Sequence, residues 1–174
     1  MFYKPCRVYL AQPMSGYDKQ EMIQLAKLAC FIARQYGLDP WSPVLQENIS
    51  GKGILDNSKS DLNWKWPMDK QALNECFVFV NLDADSKSFG CENEYGRHRY
   101  SEWQPSFLIS QKHQDGYFSI SNYQSDGIFG DMHSCFKHIQ DNFGRWDQRA
   151  LFKLKIWFKS GVPWVFRQIT RLFQ

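Results

Sequence analysis

The sequence predicts an α/β fold, a doubly wound parallel sheet with helices on both faces. Three observations carry this. Strand, turn and helix signals alternate along the first two thirds of the chain. The run FVFVNL (Phe77–Leu82) reads as a strand buried on both faces, as strands of parallel sheets are. The chain has 174 residues and is 43% hydrophobic, enough for one domain with a real core.

The elements follow in order. CRVYLA (Cys6–Ala11) is short, β-branched and aromatic and reads as the first strand. QPMSGY turns the chain, with Pro13 and Gly16 as breakers. The next 20 residues, Asp18–Gly37, read as a helix: Asp18 caps it, Glu21 stands at capping-box spacing, and Gly37 stops it. Met22, Leu25, Ala26, Ala29 and Ile32 or Ala33 recur at helical spacing. LDPWSPVLQE reads as an extended piece broken by Pro40 and Pro43, and the stretch from Asn48 to Trp66 as a polar loop. PMDKQALNEC is a short helix with Pro67 in its first turn. After the FVFVNL strand, ENEYGRHRYSEW reads as a helix and SFLIS as a strand. GIFGDMHSCFKHIQDNF reads as one helix, and the residues after it as two helical pieces divided at Gly161 and Pro163.

Composition narrows the class. A net charge of +3 is too small to imply nucleic-acid binding by itself, so no nucleic-acid partner is expected. Cys6, Cys30, Cys76, Cys91 and Cys135 are odd in number and share no close spacing, which argues against a disulfide framework and for a reducing compartment. The N-terminal residues lack the long apolar core of a signal peptide, and no stretch is apolar enough to span a membrane as a helix. A cytoplasmic location is therefore expected.

The segment SFGCENEYGRHRY (Ser88–Tyr100) places two acids, Glu92 and Glu94, at the exit of the buried strand. Acids there can be helix-start residues. They can also be catalytic, because open α/β sheets hold ligands at the carboxyl ends of their strands. Cys91 with His98 nearby raises a cysteine nucleophile, although a buried small hydrophobe fits Cys91 better. His133, Cys135 and His138 lack a fourth partner at a zinc spacing. Trp41, Trp64 and Trp66 suit base stacking or core packing.

Four motifs in this order, VYLAQPMSG, D-x-x-x-L at Asp69–Leu73, VFVNLD, and G-x-x-x-E-x-G at Gly90–Gly96, resemble the nucleoside 2-deoxyribosyltransferase superfamily, which includes deoxynucleoside 5′-monophosphate N-glycosidases. The resemblance covers roughly Arg7 to Ser110. It implies a flavodoxin-like sheet, a homo-oligomer, and an enzyme that cleaves the N-glycosidic bond of a 2′-deoxynucleoside or its 5′-monophosphate, by hydrolysis or base exchange. It assigns Glu94 as nucleophile, Asp69 as the acid beside it and Tyr9 as the aromatic near the sugar. Ser88 matches a phosphate-contacting serine. Gln12, Pro13, Met14 and Ser15 depart from the glycine and arginine pattern of the monophosphate branch, leaving Ser15 and Gly16 as nearest substitutes. Backbone N–H groups at Ser15–Gly16 and Ser88–Gly90 would hold a phosphate or hydroxyl. The implied chemistry requires neither metal nor organic cofactor. The competing class is a non-catalytic nucleotide-binding or sensing module, since fold alone does not fix function.

Two regions are expected: a deoxyribosyltransferase-like α/β domain over 1–112 and a helical, basic and aromatic C-terminal extension over 113–174. From Arg145 onward, seven basic residues stand against one acid, Asp147, interleaved with Trp and Phe. That pattern suits peripheral membrane contact, an oligomer interface, or a helix pair packed on its own domain with a basic outer face.

Overall fold

The first apolar run forms β1 (Arg7–Ala11), with four of its five residues buried. The structure is a computed structural model that describes residues 4–13, 17–49, 59–85, 88–98, 104–111 and 125–156. Strand β1 lies between β2 (Asp39–Trp41) and β3 (Val78–Asn81), and β4 (Ser106–Ile109) and β5 (Gly127–Phe129) extend the sheet in the order β2-β1-β3-β4-β5. Every pairing is parallel. This is the flavodoxin-like strand order, and it places the topological switch point at the carboxyl ends of β1 and β3.

Alternation along the strands sorts the core into two faces. Val8, Leu10, Val78, Val80, Phe107 and Ile109 pack against Ala29, Cys30 and Ala33 of α1 (Lys19–Gln35) and against Cys135, Phe136 and Ile139 of α5 (Met132–Phe143). Tyr9, Ala11 and Phe79 face the other way. They meet Ala72 and Leu73 of α3 (Lys59–Glu75) and Cys91 and Tyr95 of α4 (Phe89–Gly96). The helices thus cover both faces, as expected. Asp18 caps α1 by accepting from the Gln20 and Glu21 N–H groups at 2.8 and 3.1 Å, and Gly37 leaves the helix at φ +70°.

Four elements differ from the sequence reading. The extended piece around Pro43 divides into β2 and a helix, α2 (Pro43–Ile49), whose first turn closes where Gln46 N–H donates to the Ser42 carbonyl at 3.2 Å. Proline is well placed at the start of a helix, and serine is a residue type favoured just before one. Helix α3 begins at Lys59, inside the expected polar loop, and Pro67 falls in its interior. The expected helix at Glu92 starts earlier, at Phe89, with Ser88 as its cap.

Last, GIFGDMHSCFKHIQDNF is a strand followed by a helix. Gly130 separates β5 from α5, and Asp131 caps α5 by accepting from Ser134 N–H at 2.9 Å. Beyond residue 112, β5 pairs with β4 in the same sheet and α5 packs in the same core. The helical extension starts later, with a helical stretch over 146–156. Phe152 packs on Phe77 and Phe143, and Arg149 donates to the carbonyls of Phe143, Gly144 and Lys4. The tail expected to meet a membrane or a partner lies mostly beyond 156, outside the described residues. Among the described residues no helix is long and apolar enough to cross a membrane.

Candidate active site

Tyr9 sits in the middle of β1 with no solvent exposure, on the face covered by α3 and α4. Its ring stacks on Trp41 at 5.0 Å and on Phe79 at 5.7 Å between centroids. This fixes the ring and leaves the hydroxyl as its only polar atom. Asp69 is buried on α3, a helix held to the same face by Ala72 and Leu73, with Cys76 just past its end. Glu94 lies on α4, between Cys91 and Tyr95, which anchor that helix to the core; Glu94 itself is partly buried and is not on an open turn.

The electrostatics show that these three groups meet. The Glu94 carboxyl is pushed up to about 8, first by burial and then by the Asp69 charge; the Tyr9 hydroxyl, acting as a hydrogen-bond donor, pulls the other way. Burial and the charges of Glu94 and Asp69 hold the Tyr9 phenol well above its usual range, so it stays protonated and able to donate. The hydroxyl sits short of full hydrogen-bond geometry. Residues 85 positions apart in sequence (94 − 9) thus form one cluster.

A fourth member escaped the sequence reading. Glu47 of α2 is 1% exposed, and its charge also raises Glu94. The readable signal was Ser42-Pro43, a helix start; taking that stretch as extended hid the acid.

The remaining candidates fall as follows. Ser88 caps α4, its Oγ accepting from Cys91 N–H at 3.3 Å, which leaves its proton to donate elsewhere. Gly90 is exposed in the first turn of α4; a Cβ there would meet only Ser88 Oγ, at 3.7 Å, so the glycine is not sterically required. Ser15 and Gly16 lie outside the described residues. Glu92 is a first-turn acid of α4.

Burial pushes the Cys91 thiol up to about 12, which removes it as a nucleophile. His98 is buried between Ser106 Oγ at 3.4 Å and the Cys76 carbonyl at 3.3 Å, away from any thiolate role. Cys135 belongs to the core, while His133 meets the Tyr36 hydroxyl and His138 packs on Phe107 and Phe129. Trp41 stacks within the site, Trp66 is exposed, and the Trp64 side chain lies outside the described residues. A cavity of about 740 Å³ lies on the opposite face, between α1 and the start of α5, lined by Leu25, Leu82, Asp83, Ile109 and His133 among others.

Two solved structures share this architecture. One is a 2-deoxyribosyltransferase from the psychrotolerant bacterium Bacillus psychrosaccharolyticus, with a TM-score of 0.57 and 16% identity over 75% of this chain and 90% of that one. The fold is that of a 2-deoxyribosyltransferase. A conserved protein from Enterococcus faecalis shares it as well, with a TM-score of 0.56 and 17% identity over 79% of this chain and 99% of the other. A CMP N-glycosidase from Clostridium botulinum aligns more loosely, with a TM-score of 0.48 and 14% identity over 76% of this chain and 96% of its own. No family model matches the sequence, and no curated protein matches it. The likeness is one of fold, shared at 16% and 17% identity.

Proposed function

We propose that this chain cleaves the N-glycosidic bond of a 2′-deoxynucleoside or its 5′-monophosphate, by hydrolysis or by base exchange, with Glu94 as nucleophile. The observation that supports this most is the meeting of Tyr9, Asp69 and Glu94 on one sheet face, with Glu94 perturbed by both neighbours. Strongly shifted acids with specific partners are typical of sites that handle protons and nucleophiles.

In this reading the ionised Glu94 attacks the anomeric carbon and the bond to the base breaks. Asp69 delivers a proton to the departing base or holds Glu94 in place. The sugar ester on Glu94 is then released to water or to a second base. Positive charge builds on the sugar in the transition state, and neighbouring carboxylates stabilise that charge more than the neutral ground state. The Tyr9 hydroxyl favours the ionised form of Glu94, which is the attacking form. Ser88 and the backbone at Gly90, at the start of α4, would hold the phosphate or hydroxyl end of the substrate together with Ser15 and Gly16.

Incubation with a panel of 2′-deoxynucleosides and 5′-monophosphates, with free base separated by chromatography, tests the proposal. The wild-type chain should release base, and Glu94→Ala should lower kcat/KM by about 10²–10⁴-fold in a folded protein. A mutant within a few fold of wild type would remove Glu94 from the mechanism. A non-catalytic binding module would retain ligands of the panel and release no base from any of them.

A further inference from the structure

Gln12 is 5% exposed, and its side-chain oxygen has no hydrogen-bond partner. It follows β1 directly, at the carboxyl edge of the sheet beside the switch point between β1 and β3. The pleat turns Tyr9 and Ala11 toward α3 and α4, and it sends Gln12 the other way, where Nε2 donates to the Met22 carbonyl of α1 at 3.1 Å. That bond pins the amide and leaves Oε1 unmet. A buried acceptor without a donor is costly to a fold, and its presence calls for a reason.

Gln12 lines a cavity of about 210 Å³ with Tyr17, Glu21, Met22, Leu25 and Asp83 among others. Tyr17 holds Asp83 by donating to its carboxylate at 2.7 Å, and a carboxylate has lone pairs for further donors. Leu25 and Asp83 also line the cavity of about 740 Å³, so the two spaces adjoin. The larger one has an apolar floor of Leu28, Ile32, Leu82 and Ile109, and two further acids, Asp85 and Asp131. Among the described residues neither cavity is lined by a lysine or an arginine. Nor do the described residues include a group of three acidic, histidine or cysteine side chains that could hold a metal ion. Acceptors spread along an apolar floor suit an organic cation.

We propose that the adjoining cavities bind an aliphatic amine. Its ammonium group has three N–H donors, and Gln12 Oε1, Asp83 and Glu21 are the acceptors. Its hydrocarbon arm runs past Leu25 into the larger cavity, where Asp85 and Asp131 attract a second ammonium. The site stands apart from Tyr9, Asp69 and Glu94 and does not rest on the function proposed above.

Calorimetric titration of the intact chain at fixed ionic strength tests this, with 1,5-diaminopentane, pentylamine, 1-pentanol and magnesium chloride as probes. The diamine should bind several-fold more tightly than pentylamine, and the alcohol and magnesium should not bind. Asp83→Asn keeps the shape of the side chain and removes its charge, and it should weaken the diamine by about tenfold or more. Gln12→Leu removes the unmet acceptor and should weaken both amines by about several-fold; Asp83→Asn decides the matter if that variant does not fold. Pentanol binding as well as pentylamine overturns the proposal, because the apolar floor alone would then suffice. Magnesium binding as well as the diamine overturns it too, because the acids would then be drawing any cation. Unchanged diamine affinity in Asp83→Asn, or no amine binding to the wild-type chain, would mean that the cavities hold water only and would also overturn it.

Discussion

Glu94→Gln should make the folded chain more stable, and the gain should grow with pH. In the fold the Glu94 carboxyl is raised from its ordinary 4.5 to about 8. The folded state therefore holds this proton more tightly than the unfolded chain does. The stability that goes with the proton is complete below about 4.5 and is lost as pH rises through about 8. Carried through the linkage relation, the two values give a cost of about 1 kcal/mol at pH 5, about 3 kcal/mol at pH 7 and about 5 kcal/mol at pH 9. Glutamine fills nearly the same volume and never ionises, so the variant escapes this cost. Urea unfolding of both proteins at the three pH values measures it, provided the m-values agree. A gap of the same size at every pH, or one that narrows toward pH 9, would refute the link between burial, Asp69 and the protonation of Glu94. The expected result has the form of a stability–activity trade: the residue that destabilises the fold at working pH is the one proposed to react.

Two further outcomes are expected. Tyr9→Phe should change stability by no more than about 1 kcal/mol, because the hydroxyl lacks a full hydrogen bond. It should nevertheless move the acid limb of the kcat/KM profile to higher pH, because the group that lowers Glu94 is gone; a limb that stays in place would detach Tyr9 from Glu94. Removal of residues 157–174 should leave base release intact, since Tyr9, Glu47, Asp69 and Glu94 all precede them. Any change should appear in sedimentation state or in binding to anionic vesicles, and a folded but inactive truncation would place the tail in the active site.

Strands β1, β3 and β4 are legible because each is a short run rich in apolar residues, β-branched and aromatic ones among them, that is buried along nearly all its length. Strand β5 was not: it is three residues, Gly127–Phe129, all only partly buried, and it runs within two residues into an amphipathic helix whose periodicity dominates the window. Helix α3 was truncated because Pro67 resembles a first-turn residue, whereas the helix continues through it at a cost of about 3 kcal/mol that packing must offset. Helix α2 was hidden by two prolines close together. The site was legible to the extent that its members lie in recognisable frames. Glu94 has its flanking glycines, Asp69 its helix, and Tyr9 its strand. Glu47 has no such frame; only the three-dimensional placement of α2 near Trp41 brings it into view.

The packing of α5 has a consequence for the chain during its synthesis. Val8 and Leu10 belong to the same apolar cluster as Cys135, Phe136 and Ile139, and Leu10 precedes Cys135 by 125 positions (135 − 10). Arg149 reaches further back still, to the Lys4 carbonyl at 2.8 Å. A growing chain therefore exposes one face of β1 until nearly all described residues have been made, and contacts of such separation form slowly. Tyr9, on the opposite face of β1, needs only β2, β3, α3 and α4, which are complete by Gly96. The acids can gather on their side of the sheet while the other side still lacks its last helix, and that open face is where a nascent chain would need protection from aggregation.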